Sequence, residues 1–131
     1  MTPEISEFAQ VLVRQVRDAA VRSCDMQLEP DTETPVAKRW RTSIASVGGA
    51  SKAAMLVPDC IDEAVSQLLR AIDQGLLVLS YTASNGRTVD LSAEGRGELS
   101  GWYMATGGWR SLYAAERFVD DFADLGDPPV Q

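Results

Sequence analysis

A chain of 131 residues is the length of one domain and can bury about two thirds of its unfolded surface around one core, so a single domain over residues 1–131 is expected. It contains no histidine, which excludes Ser/His and Cys/His nucleophile arrangements and any zinc site that needs imidazole. The net charge of −7 is uneven: up to Pro58 there are seven Lys/Arg and seven Asp/Glu, and beyond it five and twelve, so the whole excess lies in the second half.

Thr2-Pro3-Glu4 opens a helix with a capping hydroxyl, a proline at the first helical position and an early acid. Ile5, Phe8, Ala9, Leu12, Val13, Val16, Ala19, Ala20 and Cys24 then keep the 3.6 period on one stripe, wide enough to cover a sheet or to form a dimer seam. Asp25 to Thr34 is expected as an acidic surface loop. Thr34-Pro35 repeats the cap-plus-proline start, with Val36, Trp40, Ile44 and Val47 at helical spacing and Gly48-Gly49 as the stop; a strand from Trp40 to Val47 is the competing reading. Ser51–Val57 reads as a short helical turn stopped by Pro58, and Asp59 as the start of a new helix carrying Ile61, Ala64, Val65, Leu68, Leu69 and Ile72 to a stop at Gly75.

Leu76 to Leu91 is the clearest β-hairpin in the chain. A two-residue Asn85-Gly86 turn would set Thr82 against Val89 and waste apolar partners. A three-residue loop of Ser84, Asn85 and Gly86, with Gly86 left-handed in a G1 bulge, sets Tyr81 against Val89 and Leu79 against Leu91. The face Leu77, Leu79, Tyr81, Val89, Leu91 then needs a cover. Ser92–Gly97 reads as a loop, Glu98–Ala105 as a third strand, Trp109–Leu112 as a fourth, and Tyr113–Leu125 as a closing helix with Ala115, Phe118, Val119 and Phe122 inward. The expected architecture is α+β: N-terminal helices, an antiparallel three- to four-stranded sheet made of the hairpin 76–91 plus strands within 98–112, and a closing C-terminal helix.

Cys24 and Cys60 occupy apolar helical positions without Cys-x-x-Cys spacing and read as buried free thiols, with a bridge between them as the alternative. The N-terminus lacks a basic region followed by an apolar core, and no apolar run approaches membrane-spanning length, so a cytoplasmic location is expected. The acidic balance disfavours nucleic acid and membrane and suits a basic protein partner. Asp120, Asp121, Asp124 and Asp127 supply the acidic patch of such a contact, with Trp102 and Trp109 as aromatic anchors.

The letters Asp120-Asp121-Phe122-Ala123-Asp124 fit D-D-x-x-D, a magnesium pattern of prenyl-chain synthases, but the match ends there and the chain is too short for that fold; no metal and no cofactor are expected. Gly95-Arg96-Gly97 and Gly48-Gly49-Ala50-Ser51-Lys52 complete no phosphate-binding motif, and Lys38-Arg39-Trp40-Arg41 reads as a solvated helix face. The expected function is a small acidic interaction protein of the inhibitor, immunity-type or mobile-element accessory kind. The alternative is a small-molecule-binding domain or histidine-free enzyme, with a pocket around Trp102, Trp109 and Arg110 that uses Glu98, Tyr103, Arg110 and Glu116.

Overall fold

The structure is a computed structural model that describes residues 1–46 and 49–121. Val47 and Gly48, at the expected end of the second helix, and Phe122, Asp124, Leu125 and Asp127, in the expected closing helix and acidic patch, lie outside the described residues.

Thr2 caps α1 (Pro3–Val11) by accepting the Ile5 N–H at 3.2 Å, with Pro3 at the first helical position. A π-helical segment, Leu12–Arg17, joins α1 to α2 (Asp18–Gln27) without a break; the Asp18 N–H reaches back five residues to the Val13 carbonyl. This wide turn absorbs one extra residue. A continuous α-helix carrying Leu12 and Val13 inward would next bury Val16, as the stripe implies. The π turn instead rotates Val16 out to 50% exposure and buries Arg17 at 0%. Val21 then returns to the interior.

Thr34 caps α3 (Pro35–Ala45) as the repeated signature implies, accepting the Ala37 N–H at 3.1 Å; Trp40 to Ala45 is helical, not a strand. Arg41 donates to the carbonyls of Pro30 and Thr32 and so ties the acidic loop back onto α3. α4 (Ala50–Asp73) runs straight through Pro58, so the expected stop there is corrected. Proline removes one backbone donor and leaves the carbonyl four residues earlier unpaired. That carbonyl belongs to Ala54, and the Arg117 guanidinium fills the gap with a 2.7 Å Nε bond. The inward face of α4 is Asp62, Val65, Ser66, Leu69 and Ile72; Ala64 and Leu68 of the expected stripe are exposed.

The hairpin forms in the expected register. β1 (Ser80–Thr82) pairs antiparallel with β2 (Thr88–Asp90), Tyr81 opposite Val89. The Ala83 N–H donates to the Arg87 carbonyl at 2.8 Å, enclosing Ser84, Asn85 and Gly86, and Gly86 has φ +85°. Leu91 N–H donates to the Leu79 carbonyl at 2.9 Å. The Glu7 carboxylate accepts the Ser84 N–H, and Phe8 meets Tyr81 edge to face at 5.6 Å, so α1 covers the turn end of the hairpin face.

Among the described residues the sheet has two strands, which corrects the expected three- to four-stranded sheet. Residues 98–112 instead form α6 (Leu99–Met104) and α7 (Trp109–Tyr113), preceded by α5 (Leu91–Gly95) where a loop was expected. α5 starts on a local cap and α6 on a remote one. Asp90 caps α5 through Ser92 N–H at 2.9 Å. Asp73, at the end of α4, accepts the Leu99 and Ser100 N–H groups at 3.0 Å each and so starts α6. Leu99, Tyr103 and Trp109 then enter the core with Ile5, Ala9, Val13, Val65, Leu69 and Leu91. The closing helix is corrected as well. Residues 114–120 carry no helix, Ala115 is exposed, and Phe118 and Val119 are half-buried.

Gly86→Val should lower the unfolding free energy by about 1–2 kcal/mol or more, since a β-branched side chain resists the left-handed region. Urea unfolding of the two proteins measures this; equal stability would contradict the assigned turn.

Candidate functional site

The π turn delivers two consecutive charged residues, Arg17 and Asp18, into the interior at 0% and 1% exposure. Asp62 reaches them from α4. Arg17 donates to Asp62 Oδ1 through Nε at 3.0 Å, to Asp18 Oδ1 through Nη1 at 2.9 Å, and to the carbonyls of Glu116 and Arg117. Arg110 from α7 donates through Nη1 to Asp62 Oδ2 at 2.9 Å, and the Tyr103 hydroxyl donates to Asp62 Oδ1 at 2.6 Å. Asp18 Oδ2 accepts the Ala115 N–H at 2.8 Å. Two guanidiniums and two carboxylates leave the cluster neutral; Arg17 Nη1 and Nη2 and Arg110 Nη1 and Nη2 also donate to backbone carbonyls, while the buried Arg110 Nε makes no hydrogen bond among the described residues.

The electrostatics follow from this burial. Burial pulls the Arg17 pKa down, but hydrogen bonds to Asp62 and Asp18 outweigh it and hold it above the usual value. Burial first, then the bond to Asp62, pushes the Tyr103 hydroxyl above the ordinary tyrosine range. The Arg110 guanidinium lies over the Phe118 ring at 4.8 Å and the Tyr103 ring at 5.7 Å. The buried Arg110 and Tyr103 side chains therefore serve as a junction that fastens residues 114–119 to the helices.

Two depressions lie at the surface. One is a groove of about 940 Å³ between α4 and α6. Its α4 wall carries Glu63, Gln67 and Arg70, its α6 wall Gly101 and Ala105, and the Ser66 and Ser100 hydroxyls, 3.0 Å apart, lie beneath. A Cβ added at Gly101 meets no atom within 4 Å, so this helical glycine keeps the groove wide without any internal packing need. The other is an apolar pocket of about 310 Å³ among α2, α3 and α4, lined by Trp40, Ile44, Leu56, Val57 and two free thiols; the expectation that both are buried is corrected, since Cys24 is half-buried and Cys60 exposed.

The residues expected in an acidic contact are dispersed. Asp120 is half-buried and its Oδ1 accepts the Thr106 hydroxyl at 3.0 Å; Asp121 is exposed; Asp124 and Asp127 lie outside the described residues. Because Thr106 lines the α4–α6 groove, that bond sets Asp120 at the groove's end. Trp109 is buried against Phe8 and Trp102, with Trp102 itself half-buried. Of the four residues of the alternative pocket, Tyr103 and Arg110 meet at Asp62. Glu116 lends its carbonyl to Arg17 while its carboxylate faces Arg22 and Arg117 at 3.9 Å, and Glu98 is exposed. Among the described residues, no group of three or more acid or cysteine side chains is placed to hold a metal ion, and no helix is long and apolar enough to cross a membrane.

Asp62, Arg17 and Asp18 were not singled out by the sequence patterns. Asp62 had a signal: it lies three and seven residues before Val65 and Leu69, on the apolar face. Arg17 had none, because its burial depends on the π turn.

Asp62→Asn should cost about 3–5 kcal/mol in urea unfolding, since it strands two buried guanidiniums. Tyr103→Phe should cost about 1.5–3 kcal/mol near neutrality, the range for a hydrogen bond to a charged group. A hydroxyl whose folded-state pKa is raised contributes stability that is complete below its unfolded value of about 10 and is lost as pH climbs further. Wild-type stability should therefore fall above about pH 10, and the fall should be shallower in Tyr103→Phe. Parallel pH profiles for the two proteins would contradict the assignment.

No protein family, curated protein or solved structure matches this chain, so its function is read from its own geometry.

Proposed function

We propose that the protein is a small cytoplasmic interaction module, of the inhibitor, immunity-type or accessory-factor kind, that receives a basic segment of a partner protein in the α4–α6 groove. The observation that carries this reading is the Thr106–Asp120 hydrogen bond, which sets the start of the acidic stretch at the end of the groove. A partner lysine or arginine leaving the groove there meets Asp120 and Asp121, and the sequence continues with Asp124 and Asp127. The groove wall itself offers Glu63 and amide and hydroxyl groups suited to an extended backbone.

Chemistry other than binding has little support. Arg17, Asp62 and Arg110 are buried and direct most of their hydrogen bonds to one another and to the backbone. The chain's net charge of −7 disfavours nucleic acid, and free thiols at Cys24 and Cys60 accord with a reducing compartment.

Cross-linking mass spectrometry from the native host identifies the partner, and stopped-flow mixing at two salt concentrations then tests the reading. Association should slow as salt is added, because steering is screened over about 8–10 Å near physiological ionic strength. Asp120→Asn with Asp121→Asn should lower mainly the association rate. Gly101→Leu should raise helix stability slightly, by roughly 0.5–1 kcal/mol, and abolish binding by filling the groove. Full-affinity binding by Gly101→Leu, or an unchanged rate for the Asn pair at low salt, would overturn the proposal.

A further inference from the structure

The charge of the α4–α6 groove changes sign along its length. The two helices run antiparallel: Asp73, at the end of α4, holds the first amides of α6, while Tyr103, near the end of α6, reaches back to Asp62. One end of the groove therefore carries carboxylates, Glu63 in the α4 wall and Asp120 on the Thr106 hydroxyl. Arg70 stands on the same wall as Glu63, seven residues or about 10.5 Å nearer the other end. Side chains pair across one helical turn, at three or four residues, so Glu63 and Arg70 are too far apart to neutralise each other. Both are exposed, and neither makes an ion pair among the described residues. Asp73, three residues past Arg70, directs its two oxygens to the Leu99 and Ser100 N–H groups. Arg96 and Glu98, on either side of the lining residue Gly97, carry opposite charges that cancel.

We propose, building on the groove as the partner site, that the segment it receives carries an acidic side chain as well as a basic one, three or four residues apart. The basic side chain meets Glu63 and Asp120. The carboxylate meets Arg70, whose planar guanidinium donates to both carboxylate oxygens at once. Three residues of a polyproline II segment span about 9 Å and return to the same face. Four residues of a strand span about 13 Å and do likewise. Either spacing brings both charges onto the α4 wall. The groove runs on past Arg70 to Gln74 and Gly97, so the chain continues beyond the carboxylate, which assigns it to an internal acidic residue and not to a C-terminus. A segment with basic residues alone would set a second cation against Arg70.

Titration of isotope-labelled protein with short blocked peptides of glycine and alanine, read by amide chemical shifts, tests this. Each peptide carries a lysine and, four residues on, a glutamate, a glutamine or a second lysine. The salt is about 150 mM, where the pull of the chain's overall charge is screened beyond about 8 Å. The Lys/Glu peptide should bind about two- to fivefold more tightly than the Lys/Gln peptide, the range of one exposed ion pair, and more tightly than the Lys/Lys peptide. Arg70→Glu should invert that order in favour of the Lys/Lys peptide, an outcome that lost stability cannot produce. Gly101→Leu should abolish the shifts for all three peptides. Equal binding of the Lys/Glu and Lys/Lys peptides to the wild type, or an Arg70→Glu protein that keeps the wild-type order, would overturn the acidic requirement and leave the groove reading standing. Absence of shifts at Gln67, Gly101 and Thr106 with every peptide, or unchanged binding by Gly101→Leu, would overturn both.

Discussion

Asp62 is the point on which the rest of the structure depends. Its two oxygens receive Arg17, Arg110 and Tyr103, so a single carboxylate joins the π turn, α4, α6 and α7. Buried charge is expensive, and such an arrangement is tolerated only when every charge is balanced and most hydrogen-bonding positions are filled. Here the balance is two against two, and the carbonyls of Glu116, Arg117, Val119 and Met104 accept further arginine donors, which leaves Arg110 Nε as the one guanidinium donor of the pair without a partner among the described residues. An irregular segment thereby becomes part of the interior. Without the carbonyls of Glu116, Arg117 and Val119 the arginines lose acceptors, and without the arginines that segment has no regular structure to hold it.

The same economy of remote partners recurs around the molecule. Arg117, on this segment, fills the carbonyl that Pro58 leaves open in α4 and pairs in bidentate fashion with Asp25 of α2 at 2.9 and 3.0 Å. Asp73 starts α6 from the far end of α4. Together these contacts hold α4 beside α6, where the groove lies, and the Thr106 hydroxyl brings Asp120 to the groove.

How much of this could be read from the sequence follows the range of the responsible interaction. The hairpin register was legible because its causes lie within a few residues: Gly86 tolerates positive φ, and only one loop length sets Tyr81 against Val89. The two cap-plus-proline starts, Thr2-Pro3 and Thr34-Pro35, were legible for the same reason. The third and fourth strands were misread because residues 98–112 have weak local preference and several glycines, while the capping carboxylate of Asp73 stands 26 residues before Leu99. The helix through Pro58 was misread because its remedy, Arg117, is 63 residues from Ala54. Arg17 was not singled out because the π turn that buries it leaves no mark on a 3.6-residue pattern. The acidic residues were found by charge counting, but their relation to a groove needed Thr106, which no motif distinguishes.

Residues 114–119 are structurally one with the buried cluster. Native-state hydrogen exchange on the wild-type protein tests it at the Ala115 amide, which is bonded to Asp18 at 2.8 Å. If the segment opens only when the cluster does, Ala115 should exchange within about tenfold of the Leu69 amide in the centre of α4, both reporting a shared opening. Exchange at Ala115 several orders of magnitude faster than at Leu69, with α4 still protected, would mean that the segment frays on its own and that the Asp62 junction does not hold it.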